Sequence, residues 1–150
     1  MPAEQFTGVA VVAATLLLAV LAGVLWRRGN GRFRGGPAAA KGEADMAGAL
    51  TDEDIGSDLG RRATLVQFSS AFCQPCRATR RVLIEVSGMV EGVAHVEIDA
   101  ESRLDLVRRL GIMRTPTVLV LDSAGCVIRR ASGQPRKADV IAALGEAIKP

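Results

Sequence analysis

The sequence has little of what most cofactor and metal chemistry requires. It holds one histidine, one tryptophan and three cysteines in 150 residues. No glycine-rich phosphate loop is present, no second Cys-x-x-Cys accompanies Cys73 and Cys76, and no His/Asp/Glu cluster has ligand spacing. No bound cofactor and no resident metal are therefore expected, and any electrons must come from another protein or a small thiol. A charge excess is also missing from the C-terminal two thirds. Residues 51–150 carry 14 Lys+Arg against 13 Asp+Glu, which is not a nucleic-acid footprint.

Charge is absent altogether from Thr7 to Trp26. As a helix at about 1.5 Å per residue this run reaches roughly 30 Å, the thickness of a bilayer's hydrocarbon core. Trp26, Arg27 and Arg28 then suit the headgroup boundary, where an indole and snorkelling guanidiniums find partners. A cleaved signal peptide wants a basic leader and a run of roughly 7–15 apolar residues. Here the run is longer, and Met1–Phe6 carries only Glu4 and the terminal amine. The expectation is one retained transmembrane helix over 7–26 in a single-pass protein of the cell membrane. Arg27, Arg28, Arg32 and Arg34 come after the span and no Lys or Arg precedes it, so positive-inside bias places the C-terminal domain in the cytoplasm. Residues 27–50 read as a basic, then Gly/Ala-rich linker, with six glycines between Gly29 and Leu50. As a flexible coil, Gly29–Leu50 would span about 25 Å root-mean-square. Ala19-x-x-x-Gly23 fits a helix-pairing pattern, but in so alanine-rich a span the match is close to chance. A monomer is expected.

From Thr51 to Pro150 the pattern is globular. Thr64–Ser69 reads as a strand, and Gln74–Val86 as a helix ending at Ser87–Gly88. Val93–Asp99 alternates, with Val96 and Ile98 on one face. Ser102–Leu110 opens with a Ser-x-x-Asp cap and lines up Leu104, Val107 and Leu110. Thr117–Leu121 reads as a central strand, Cys126–Ser132 as its hairpin partner, and Pro135–Ile148 as a helix burying Val140, Ile141, Leu144 and Ile148. This order predicts an α/β domain with a central mixed β-sheet flanked by helices.

The informative stretch is Phe68-Ser-Ser-Ala-Phe-Cys-Gln-Pro-Cys-Arg77, which puts a Cys-x-x-Cys where a strand ends and a helix begins. The free amides and dipole of a helix start stabilise a thiolate, so Cys73 is expected to be reactive. Pro75 suits the first turn. Cys76 shares a helical face with Leu83, so its sulfur should point inward. One exposed attacking thiol and one shielded resolving thiol is what disulfide exchange requires.

In these residues the domain resembles thioredoxin, over essentially all of residues 60–150. Arg114-Thr-Pro-Thr117 lies at the distance from Cys76 where that family carries its cis-proline loop. Val96-Glu-Ile-Asp99 is similar to the family's third strand, and Gly133 to the glycine of its substrate groove. The resemblance implies a thioredoxin-like fold and a thiol–disulfide oxidoreductase that reduces protein disulfides. It implies that Pro116 is cis beside the dithiol, and that Phe72, Gln74, Pro75, Thr115 and Gly133 border the bound substrate. The sequence departs from the family at Gln67 (a buried aspartate there), at Phe72 (tryptophan) and at Gln74 (glycine). In the family the buried aspartate, with a lysine on the next strand, is thought to take the proton of the second cysteine. By the match of strands the lysine position is His95, which with Gln67 could form an alternative relay; the plainer reading makes His95 a strand residue facing water.

Other readings remain at this point. Cys73 and Cys76 could be half of a zinc site completed by Cys126 and His95, although zinc knuckles sit in loops rather than at helix starts. A redox-idle binding module for a membrane-proximal partner would keep the groove and dispense with the cysteines. Cys126 reads as an ordinary half-buried thiol. The topology gives a direct prediction: a membrane-impermeant maleimide should not label Cys73 in intact cells and should label it after lysis. Labelling without lysis would reverse the orientation.

Overall fold

The computed structural model describes residues 2–34 and 48–148. It divides into two units, Met1–Asn30 and Gly31–Pro150. The first is the helix α1 (Pro2–Gly29), whose segment Gly8–Trp26 has a mean hydropathy of 2.6 and is long and apolar enough to cross a bilayer. A signal sequence near the N-terminus also passes that test of length and apolarity.

The second unit contains, in chain order, β1 (Phe33–Arg34), α2 (Asp52–Ile55), β2 (Ala63–Ser69), α3 (Gln74–Met89), β3 (Val93–Asp99), α4 (Leu104–Arg109), β4 (Thr117–Asp122), β5 (Val127–Ser132) and α5 (Lys137–Ala147). The sheet order is β1-β5-β4-β2-β3. Strands β2 and β3 run parallel across the α3 crossover, while β4 is antiparallel to β2 and β5 is antiparallel to β4. This is a thioredoxin-like α/β fold: a mixed sheet of four long strands, extended by the short β1 and flanked by helices.

Strand alternation sends apolar side chains to both faces of the sheet. Val66, Phe68, Leu119 and Leu121 pack with Ile55, Leu106 and Leu110 under α2 and α4. Ala63, Leu65, Val118 and Val120 pack with Leu83, Val86, Val140 and Leu144 under α3 and α5. Strand β2 is therefore buried along its whole length. Each fully buried Leu, Val or Phe of these layers contributes about 1.5–3 kcal/mol by removal from water.

Several boundaries differ from the sequence expectations. The linker read over residues 27–50 is in part ordered sheet and core. Phe33 and Arg34 pair with Ala131 and Arg130, the Gly31 N–H donates to the Ser132 carbonyl at 3.0 Å, and Leu50 is buried. A strand as short as β1 cannot show a period, and Leu50 lies beyond a glycine-rich stretch. Its place depends on Gly125, whose carbonyl accepts the Leu50 N–H at 2.9 Å. Gly125 has φ 81°, and a Cβ there would lie 2.0 Å from the Leu50 oxygen. The remaining linker residues, 35–47, lie outside the described residues.

Helix α3 continues through Ser87–Gly88 to Met89, since Gly88 meets no requirement for a turn there. The cap expected at Ser102 does not form. Ser102 Oγ donates to the Asp99 carbonyl, and α4 begins at Leu104 without a side-chain cap. Leu106 on α4 and Leu110 just past its end face the core, while Leu104 is half exposed. On α5 it is Ala143 and Ala147, rather than Ile141, that complete the buried stripe.

Candidate active site

Strand β2 ends at Ser69, and α3 begins at Gln74 with Cys73 as its N-cap. The turn between them passes through Phe72, a non-glycine residue at φ 59° whose side chain is 96 % exposed. A side chain held in the left-handed region costs on the order of 1–3 kcal/mol, a strain concentrated at functional turns. Cys73 is partly exposed and Cys76 is buried, and the two are joined as a disulfide with a Cα–Cα distance of 5.2 Å. The Cys76 N–H donates to Cys73 Sγ at 3.2 Å. That amide is one of the free donors of the helix start, and it offers the same hydrogen to a Cys73 thiolate. Gln74 and Pro75 are exposed beside it in the first turn.

The second wall comes from the β4 end of the sheet. The Thr115–Pro116 peptide bond is cis and Pro116 is buried. Phe68 pairs with Thr117, which sets Pro116 beside the end of β2. Ser70 Oγ and Thr115 Oγ1 share a hydrogen bond of 2.7 Å, tying the proline loop to the turn that leads into Cys73. The Gly133 N–H donates to the Pro116 carbonyl at 2.7 Å, and the Arg114 guanidinium donates to the Ser132 carbonyl at 2.6 Å. Cys73, Cys76, Thr115, Pro116 and Gly133 thus belong to one end of the sheet.

Beneath the disulfide lies a polar group among apolar neighbours. Gln67 continues the Ala63–Leu65 row and is 0 % exposed. Its Nε2 donates to the Cys76 carbonyl at 2.9 Å and to Ser69 Oγ at 2.8 Å, with Glu97 Oε1 at 3.5 Å. Ser69 Oγ donates to Glu97 Oε1 at 2.7 Å, and Glu97 Oε2 meets Arg80 Nε at 3.3 Å. Gln67 Oε1 has no partner, nor do the buried Thr79 Oγ1 and His95 Nε2. An unsatisfied group of this kind costs about 1–3 kcal/mol.

The relay partner expected at His95 is placed differently. His95 pairs in register with Leu65, whereas Gln67 pairs with Glu97, so the glutamine amide is engaged by Glu97, Ser69 and Cys76 instead of the imidazole. Nor does His95 simply face water: it is half-buried on the α3 side of β3. No local sequence signal marks Ser69, Ser70, Arg80 or Glu97. The one pointer to them is the match of Gln67 to a buried polar position, which requires that something satisfy it. Cys126 sits at the turn into β5, partly buried, and burial followed by the nearby Asp122 carboxylate pushes its thiol above the ordinary value. Among the described residues no three His, Cys, Asp or Glu side chains converge as metal ligands.

A disulfide at a helix N-terminus, with its first sulfur reachable, its second enclosed and a cis-proline loop alongside, has the parts needed for thiol–disulfide exchange. The thioredoxin family model matches residues 47–146, and the chain belongs to the thioredoxin family. Over 89 residues it is 27 % identical to a thioredoxin of Staphylococcus epidermidis, covering 59 % of this chain and 86 % of that one. Over 71 residues it is 37 % identical to human "Thioredoxin domain-containing protein 2", covering 45 % of this chain but only 13 % of that protein's length. Among solved structures it is similar to a chloroplastic thioredoxin z, at 25 % identity and TM-score 0.52, covering 58 % of this chain and 79 % of that one. A thioredoxin of Halobacterium salinarum, at 20 % identity and TM-score 0.54 over 65 % of this chain and 82 % of its own, shares the fold.

Burial lowers the His95 pKa from its ordinary 6.5; the Glu97 carboxylate opposes this and Arg80 adds to it. A depressed folded-state value means that the unfolded chain takes the proton first as pH falls. The stability His95 contributes is present above about 6.5 and is lost as pH drops through the lower folded value. Urea denaturation of the full chain between about pH 7.5 and 5 should show falling stability, and His95→Gln should flatten that slope.

Proposed function

We propose that the chain is a membrane-tethered thiol–disulfide oxidoreductase that reduces protein disulfides at the cytoplasmic face of the cell membrane. The observation that carries the reading is the unequal enclosure of the two cysteines: Cys73 caps α3 at the surface, and Cys76 is 2 % exposed beneath it. In this mechanism the Cys73 thiolate attacks a substrate disulfide and forms a mixed disulfide with one substrate sulfur, releasing the other as a thiolate that takes up a proton. Cys76 then loses its proton and attacks Cys73 Sγ, which frees the substrate's remaining thiol and leaves the Cys73–Cys76 disulfide. A dithiol protein or a small thiol resets it. Phe72, Gln74 and Pro75 on one side, and Thr115, Pro116 and Gly133 on the other, border the substrate segment, with Thr115 offering backbone groups to it.

Family membership supports the general chemistry. The apolar run of α1 and the four arginines after it support the tether and its orientation. Such a tether confines the dithiol to a shell near the bilayer and raises its effective concentration toward membrane-proximal disulfides. His95 is assigned no contact with the reacting sulfurs; its proposed part is to stay neutral beneath α3, beside the Glu97–Arg80 pair.

Reduction of insulin disulfides tests the division of labour. Cys73→Ser should abolish turnover. Cys76→Ser should retain one attack and accumulate mixed disulfides visible on non-reducing gels. Retained multiple turnover in Cys73→Ser would overturn the reading.

A further inference from the structure

The buried Gln67 amide has a fixed orientation. A charged Glu97 carboxylate only accepts hydrogen bonds, so the single hydrogen of Ser69 Oγ goes to Glu97 Oε1 at 2.7 Å. Toward Gln67, at 2.8 Å, Ser69 Oγ must then accept. The Cys76 carbonyl, at 2.9 Å, is likewise an acceptor only. Both contacts demand the amide nitrogen, whose two hydrogens serve them, with Glu97 Oε1 a longer third contact at 3.5 Å. The amide oxygen is left facing the buried space without a partner, on a side chain that is 0 % exposed. The amide nitrogen meets Cys76 at its main-chain carbonyl, and the Cys76 side chain is 2 % exposed.

As long as Cys76 is in the disulfide it has no side-chain hydrogen to offer. Reduction changes that. A dithiol reductant supplies two electrons and two protons, the Sγ–Sγ bond breaks, each sulfur takes one hydrogen, and the reductant leaves as its own disulfide. The enclosed Cys76 then carries an S–H donor, on the residue whose carbonyl already holds the Gln67 amide. We infer that Gln67 Oε1 accepts the Cys76 S–H of the reduced protein, so that Gln67 is a redox-tuning residue that favours the dithiol over the disulfide. The inference rests on the proposed cycling of Cys73–Cys76 between those two states. In the disulfide state the oxygen is unsatisfied, in the dithiol state it is paired, and the difference pulls the equilibrium toward reduction. Glu97 and Ser69 act at one remove, by holding the amide in the orientation that frees its oxygen.

The test is the equilibrium constant of the full chain, in detergent, against a dithiothreitol redox buffer. Gln67→Leu removes the oxygen in both states, and the partner of the Cys76 carbonyl equally in both. It should shift the equilibrium about five- to tenfold toward the disulfide. Thr79→Val, which deletes an unpartnered buried hydroxyl one turn along α3 from Cys76, should leave it unchanged. An unshifted constant in Gln67→Leu, or an equal shift in Thr79→Val, overturns the assignment to Gln67. A pair that dithiothreitol cannot reduce at all in the parent chain defeats the proposed function itself, and the inference with it. If Gln67→Leu does not fold, a Cys73→Ala/Cys126→Ser chain leaves Cys76 as the only thiol, and its S–H stretch can be read by infrared spectroscopy. A band at lower frequency than in the same chain unfolded by guanidinium supports the hydrogen bond, and an unshifted band overturns it.

Discussion

Strand β2 is paired on both edges and covered on both faces, and the rest of the site hangs from that constraint. Parallel pairing with β3 sets Gln67 opposite Glu97, and antiparallel pairing with β4 sets Phe68 opposite Thr117. A slip of one residue on either side would turn Gln67 into the other layer and carry Pro116 away from the turn that holds Cys73. The cost of such a slip is the burial of the whole strand, so register is held by the apolar rows Ala63–Leu65 and Val66–Phe68. The chemistry sits just past the last paired residue, where the chain is free to turn while its starting point is fixed.

The helix start does the electrostatic part. A sulfur at the N-cap of the 16-residue α3 receives a backbone N–H and the positive end of the dipole, while by Cys76 the chain has already turned inward. One local geometry therefore produces two unlike thiols. Gln67 is an amide, which does not titrate, and it is held by the Cys76 carbonyl and Ser69 Oγ.

Much of this could be read in the residues. The Cys-x-x-Cys after an apolar strand and the helical stripe through Leu83 and Val86 are local signals, the Arg-Thr-Pro-Thr loop is placed by resemblance to the family, and each led to the element the structure contains. What escaped has a physical reason. Strand β1 is too short to carry a pattern and borrows its order from β5. Leu50 is drawn into the core by the carbonyl of Gly125, a partner far away in sequence. The Ser69–Glu97 and Ser70–Thr115 bonds join residues 28 and 45 apart, and no periodicity announces such pairs. The cap at Ser102 fails because α4 starts one residue later, with Arg103 at the N-cap position. His95 stands one same-face position along β3 from Glu97, the residue that meets the amide in its stead.

In the proposed mechanism, position on α3 makes Cys73 the nucleophile and Cys76 the protected partner. The most direct test is timed alkylation of the reduced full chain with limiting iodoacetamide at neutral pH, followed by peptide mass mapping of all three cysteines. Cys73 should be modified first, well ahead of Cys126, with Cys76 last. Modification of Cys76 before Cys73, or of Cys73 no faster than Cys126, would contradict the assignment.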